Sequence, residues 1–114
     1  MATYRNSNDE EVIYIPSEFK LLVHMDPIDG CHLGSTNFTC TFWTGSKKVE
    51  KTKAEMIPDN PENPSQCDDY VVLLNSQELG KGTVNVMLHT TLPDDDFIEG
   101  RKEAVLINTK LKIK

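Results

Sequence analysis

No run of this 114-residue sequence approaches the ~20 apolar residues that a membrane-spanning helix needs. The opening Met1-Ala2-Thr3-Tyr4-Arg5-Asn6-Ser7-Asn8-Asp9-Glu10-Glu11 lacks the apolar centre of a secretion signal. Synthesis in a reducing cytoplasm, with no membrane attachment, is the expectation that follows. Aromatic residues make up only 7% of the chain, with a single Trp, which argues against a sugar-binding face built from several aromatic platforms. Cysteines are few and odd in number. Cys31, Cys40 and Cys67 cannot all pair, so no disulfide framework is expected. Positive charge is also in deficit, with 12 basic against 18 acidic residues and a formal charge of −6. That balance works against nucleic-acid binding, which draws its affinity mainly from Lys and Arg displacing phosphate counterions.

The signatures of common chemistry are missing as well. His24, His32 and His89 are scattered, and no CxxC or HxxxH pair supports a zinc site built on Cys31-His32 with Cys40 or Cys67. Cys31 and Cys67 fall in segments read as exposed loops, but no base or oxyanion donor can be placed beside either. The glycines do not form a phosphate loop. Asp94-Asp95-Asp96 with Glu99 lacks the spaced ligands and the fixed Gly of a calcium loop, and reads as a solvated connection. Asn37-Phe38-Thr39 matches a glycosylation sequon, which means little without a secretion signal. A short chain also has no second lobe with which to enclose a substrate. The expectation is therefore a non-enzymatic protein with no catalytic residue, metal or cofactor.

What the sequence does have is period-two alternation, the mark of strands with one buried face. Phe19, Leu21, Val23 and Met25 alternate with Lys20, Leu22 and His24, Phe38, Cys40 and Phe42 with Thr39, Thr41 and Trp43, and Val84, Val86 and Leu88 with Thr83, Asn85, Met87 and His89, which puts Leu22 and Met87 on outward faces. Near the C-terminus Val105, Ile107, Thr109, Leu111 and Ile113 share a face opposite a row of lysines. Val12–Ile15 is a short strand stopped by Pro16, and continuously apolar 70–74 reads as a strand covered on both faces. Segment 47–55 is charged at nearly every position around Val49, as suits an exposed edge strand. Ser76–Leu79 has room for one helical turn. Asp26-Pro27-Ile28-Asp29-Gly30, Thr44-Gly45-Ser46, the proline-rich 58–64 and Leu92-Pro93-Asp94-Asp95-Asp96 supply the turns. The expected fold is all-β, an immunoglobulin-like antiparallel sandwich of six to seven strands at 12–114, preceded by a flexible polar arm at 1–11. A small barrel is the second choice. Trp43 falls opposite Phe38 and Phe42, so it is either an end cover or a contact anchor.

The second half is more particular. Asp68-Asp69-Tyr70-Val71-Val72-Leu73-Leu74 leads to Ser76-Gln77-Glu78-Leu79-Gly80-Lys81-Gly82, then 84–90, then Leu92-Pro93-Asp94-Asp95-Asp96-Phe97-Ile98-Glu99-Gly100-Arg101 and a last strand. This order resembles the small β-sandwich attachment domains of tailed-phage virion proteins: baseplate upper proteins and the N-terminal parts of tail and head fibres, crAss-like phages included. The resemblance implies a virion structural protein, an adaptor or decoration module at capsid, head fibre, collar or tail. It implies other virion proteins (capsid, portal, collar or tail subunits) as partners, and homo-oligomers within the particle. Where longer relatives continue into a receptor-binding region, this chain ends at Lys114, which favours an adaptor, decoration or collar role. Contacts are then expected from Tyr4 and Arg5 in the arm, from Lys47, Lys48, Val49 and Lys51 on the edge strand, from Trp43, and from Asp94, Asp95, Asp96 and Phe97 in the acidic loop. In that loop Pro93 ends a strand and Phe97 is expected to plug the end of the sandwich. The alternative is a bacterial surface or secreted immunoglobulin-like binding domain, with carbohydrate among its candidate ligands.

Overall fold

Glu18 to His24 shows in seven residues why the chain folds as it does. Phe19, Leu21 and Val23 are fully buried, while Glu18 and His24 are exposed and Lys20 and Leu22 half-covered. Pleating sends neighbours to opposite faces, and only one face meets the core. In the computed structural model, which describes residues 2–3 and 11–114, the described residues form nine strands, and this logic recurs along the longer ones. They are β1 (Ala2–Thr3), β2 (Glu11–Ile13), β3 (Glu18–His24), β4 (Phe38–Trp43), β5 (Lys48–Thr52), β6 (Ile57–Pro58), β7 (Asp69–Asn75), β8 (Gly82–Leu92) and β9 (Arg101–Ile113). One helical turn, α1 (Ser76–Leu79), joins β7 to β8, capped reciprocally by Asn75 and Glu78.

The strands form two sheets, ordered β1-β3-β7-β6 and β2-β9-β8-β4-β5. If β1 and β2 are taken as the two halves of a first strand, these are the ABED and A′GFCC′ sheets of an immunoglobulin-like sandwich. Their inner faces meet in one core. Phe19, Leu21, Val72 and Leu74 come from the first sheet, and Phe38, Phe42, Val86 and Leu88 from the second. Each such side chain contributes about 1.5–3 kcal/mol by leaving water. Phe38 and Tyr70 meet edge to face across the layers, with ring centroids 5.0 Å apart. Cys40 packs there as a small hydrophobe, and burial pushes its thiol pKa up to about 12.

Four expectations need correction. The sandwich is not wholly antiparallel, because β1 runs parallel to β3 and β2 parallel to β9. The N-terminal segment is not tied to either neighbour by a hairpin, and only a hairpin enforces the antiparallel sense. The strand read at Val12–Ile15 is Glu11–Ile13, starting one residue earlier and stopping before Tyr14, which is 67% exposed. β7 is covered on one face only: Tyr70, Val72 and Leu74 are buried while Leu73 is half exposed. The two strands beyond seven, β1 and β6, are two-residue pieces held by backbone pairing, so they leave no alternation to read. Segment 47–55 does form an edge strand, ending at Thr52 where a capping box starts a short 3-10 turn. Tyr4 and Arg5, with most of the arm, lie outside the described residues.

β9 carries a bulge. Asn85 pairs with Asn108 but Thr83 with Lys112, so two additional residues of β9 stand opposite Val84, and Lys110 adopts φ 55. Buried Thr109 ties this irregularity together, donating from Oγ1 to the Val84 carbonyl at 2.7 Å and accepting from the Leu111 amide at 3.1 Å. Thr90 is its counterpart without a bond: its Oγ1 is buried and unpartnered. Thr109→Val should lower stability by about 1–3 kcal/mol, because the Leu111 amide loses its acceptor. Thr90→Val should raise it by about 1 kcal/mol, since a desolvated hydroxyl is removed. Urea unfolding of the two variants, read against wild type, checks both signs.

Candidate functional site

Antiparallel pairing puts the C-terminal ends of β3 and β8 beside the N-terminal ends of β4, β7 and β9. Three connections therefore gather at one end of the sandwich: residues 26–37, 59–68 and 93–100. In the first, Asp29 and Gly30 take positive φ and close a tight turn in which Ile28 and Cys31 exchange backbone hydrogen bonds. Leu33 then drops into the core as the plug. In the third, the Asp94 side chain accepts from the Asp96 amide at 3.0 Å, and Gly100, at φ 88, passes so close to Leu92 that a Cβ would lie 2.7 Å from its carbonyl oxygen.

The loops are fastened to one another. The Gly34 amide donates to the Cys67 carbonyl at 2.8 Å, and Lys53 Nζ donates to the carbonyls of Gly34 and Thr36, both at 2.8 Å. His32 Nδ1 meets Asp68 at 2.9 Å. Arg101 fans out to three carboxylates, donating to Asp94 at 2.9 Å, to Glu103 at 3.0 Å and to Asp29 across 72 residues. These partners, Asp29 foremost, raise the guanidinium pKa further above its usual range. His24 bridges Asp69 at 2.7 Å and Asp26 at 2.8 Å.

What this scaffold presents is negative and apolar. The three loops hold nine of the chain's 18 acidic residues and none of its 12 basic ones. At the tip of 93–100, Phe97 is 52% exposed and Ile98 entirely so, between exposed Asp95, Asp96 and Glu99. Phe97 is thus not the plug expected of it. Leu33 occupies the core at this end, and the hairpin carries Phe97 outward.

The expected contact residues separate into two groups. Asp94, Asp95, Asp96 and Phe97 belong to this end, with Asp94 committed to Arg101. Trp43, Lys47 and Lys48 lie at the opposite end, where Trp43 is half-buried and pairs in register with Lys48. Val49 and Lys51 point to the inner side of β5 and are half-buried. Cys67, expected in an exposed loop, is buried and donates its Sγ–H to the Asp69 carbonyl. Ile98, Arg101 and the His24 bridge were not singled out from sequence. Ile98 was visible as an apolar residue between carboxylates. The others each include one partner tens of residues away, Asp29 for Arg101 and Asp69 for His24. Among the described residues no three His, Cys, Asp or Glu side chains converge as metal ligands.

Comparison with protein-family models, with curated proteins and with solved structures gives no match. The site is therefore read from its own chemistry.

Gly34 is the joint between loops. A Cβ there would stand 1.6 Å from the Pro64 carbonyl oxygen, with nothing but backbone to yield. Gly34→Ala should cost about 3 kcal/mol and push 26–37 away from 59–68. A thermal melt together with loss of amide protection at Gly34 reads this out.

The His24 bridge adds a dependence on pH. Asp26 first, then Asp69, raise the imidazole pKa above its ordinary 6.5, outweighing partial desolvation. Because the folded value is the higher, the bridge stabilises fully below about pH 6.5 and is lost as pH rises through the folded pKa. An NMR titration should place His24 above the unfolded reference, and Asp69→Asn should bring it down. A His24 midpoint unchanged by Asp69→Asn would contradict the assignment.

Proposed function

We propose that the protein is a non-enzymatic binding and assembly module, an adaptor or decoration protein of a tailed-phage virion. The observation that carries the binding role is the loop end, where apolar Phe97 and Ile98 stand in water within a carboxylate field, on loops fastened to a rigid sandwich. An anchored apolar tip with a charged rim is how interfaces divide their work. The buried apolar centre supplies affinity, and the rim supplies orientation and partner choice. Holding the loops in place beforehand lowers the ordering cost of binding. β5, an exposed edge strand, offers a second means of contact through backbone pairing with a neighbour's sheet. The virion setting is supported by the resemblance carried by the segment from Asp68 onward.

The same converging loops favour one other reading, an immunoglobulin-like binding domain at a cell surface, since recognition loops of such domains gather at one end. Sedimentation with particles separates the two. Purified protein added to particles that lack it should co-sediment, and Ile98→Asp, at a side chain with no packing to lose, should weaken binding at least about tenfold. Failure to sediment with any head or tail fraction would shift the assignment to the surface domain.

A further inference from the structure

Charge divides this molecule by its ends. Loops 26–37, 59–68 and 93–100 carry nine acidic and no basic residues. At the far end, Lys47 and Lys48 lie between β4 and the start of β5, Lys81 precedes β8 and Lys114 follows β9, all exposed. Lys110 and Lys112 lie on the same stretch of β9. Aromatic surface accompanies these lysines. Tyr14 is 67% exposed beside Lys114, whose carbonyl accepts from the Ile15 amide, and half-buried Trp43 pairs in register with Lys48. Among the described residues the acidic ones at that end are fewer than the lysines: Glu11, in register with Leu111 of β9, then Glu18 at the start of β3 and Glu78 in α1, which is engaged in capping.

We propose that the acidic loop end, through Phe97 and Ile98, docks on the lysine-rimmed aromatic end of a second copy of this chain, and that the contact repeats head to tail. The proposal rests on the assembly role proposed above and specifies its partner. Three considerations support this occupant. First, the ends are complementary in both respects that set affinity: apolar tip against aromatic surface, carboxylate rim against ammonium rim. Second, β9 with its 13 residues spans ~40 Å, several times the ~8 Å Debye length, so the two ends barely attract each other within one molecule. Their attraction is expressed only when ends of different copies touch. Third, a two-fold contact at either end would set carboxylate against carboxylate or lysine against lysine, which leaves the heterologous arrangement as the favourable one.

Sedimentation velocity tests this with two variants: Ile98→Asp, which spoils the loop end, and Lys47→Glu/Lys48→Glu, which spoils the lysine end. Wild-type mass should climb above the monomer with concentration, and fall back as salt rises from about 50 to about 500 mM. Each variant alone should associate at least about tenfold more weakly, with unchanged melting. An equal mixture of the two should stop at a dimer, because each pair then has one intact contact and no more. If Ile98→Asp melts early, Asp95→Lys/Asp96→Lys tests the same end without touching an apolar side chain. A wild-type protein monomeric at every concentration in low salt would overturn the proposal, as would a mixture that stays monomeric. Particle sedimentation of Lys47→Glu/Lys48→Glu separates the two readings. A variant that still reaches particles through its intact tip while wild type shows no self-association leaves the assembly role standing and removes only the self-contact. Self-association without particle binding does the reverse.

Discussion

In a sandwich of two layers a pleated strand buries only one of its two faces, and the arrangement of this protein follows from that constraint. Phe19, Leu21 and Val23 turn inward together because they sit two apart, and the same parity holds for Phe38, Cys40 and Phe42 on the opposing sheet. Two such faces closed on each other leave no lateral room for charge. Most charges therefore go to outward positions, and the carboxylates above all to the connections. Strands that cross the whole sandwich deliver those connections to two ends only. Once nine acidic residues are placed in three of the loops, an acidic end of the molecule is a consequence of topology.

Crowding so many carboxylates is tolerable because most stay in water, where repulsion is weakened by the solvent dielectric and by salt. Those close to the sandwich also have partners: Asp29, Asp94 and Glu103 on Arg101, Asp26 and Asp69 on His24, Asp68 on His32. Single exposed ion pairs are worth little. Arg101 differs in holding one planar guanidinium against three carboxylates at once, two of them on different loops. Its main effect is positional. It fixes the base of the 93–100 hairpin to the 26–37 loop and leaves the tip, Phe97 to Glu99, standing clear.

How much of this was legible in the sequence follows the range of the interactions concerned. Alternation is local, so the long strands, the inward residues, the edge character of 47–55 and the helical turn at Ser76 could all be read directly. The outward placement of Trp43 and Met87 came from the same parity. β7 misled because five consecutive apolar residues carry no period, and only tertiary structure reveals that Leu73 faces water. The parallel entries of β1 and β2 were invisible because backbone pairing over two or three residues asks nothing of side chains. Phe97 was misplaced for a different reason. A hydrophobe in a polar loop suggests a plug, but Leu33, delivered by a loop with its own 3-10 turn, had already filled the position. The Arg101 and His24 clusters join residues up to 72 apart, and no spacing rule reaches that far.

The separation of charge at two ends matters more than the net value of −6. A net charge is a statement about the average field, and it predicts mutual repulsion between copies. A chain with nine carboxylates at one pole and lysines at the other presents something different at close range, where screening removes all but the nearest charges. Within about a Debye length an approaching copy meets a local sign, either acidic loops or basic turns, and the average no longer describes the encounter. The apolar residues lie at the same poles: Phe97 and Ile98 among carboxylates, Tyr14 and Trp43 among lysines. Hydrophobic contact alone is indifferent to orientation, and charge contact between mobile side chains alone is weak. Placed together, the charged rim orients an approach that the apolar centre then holds, and a molecule with one such pole at each end has a direction built into its surface.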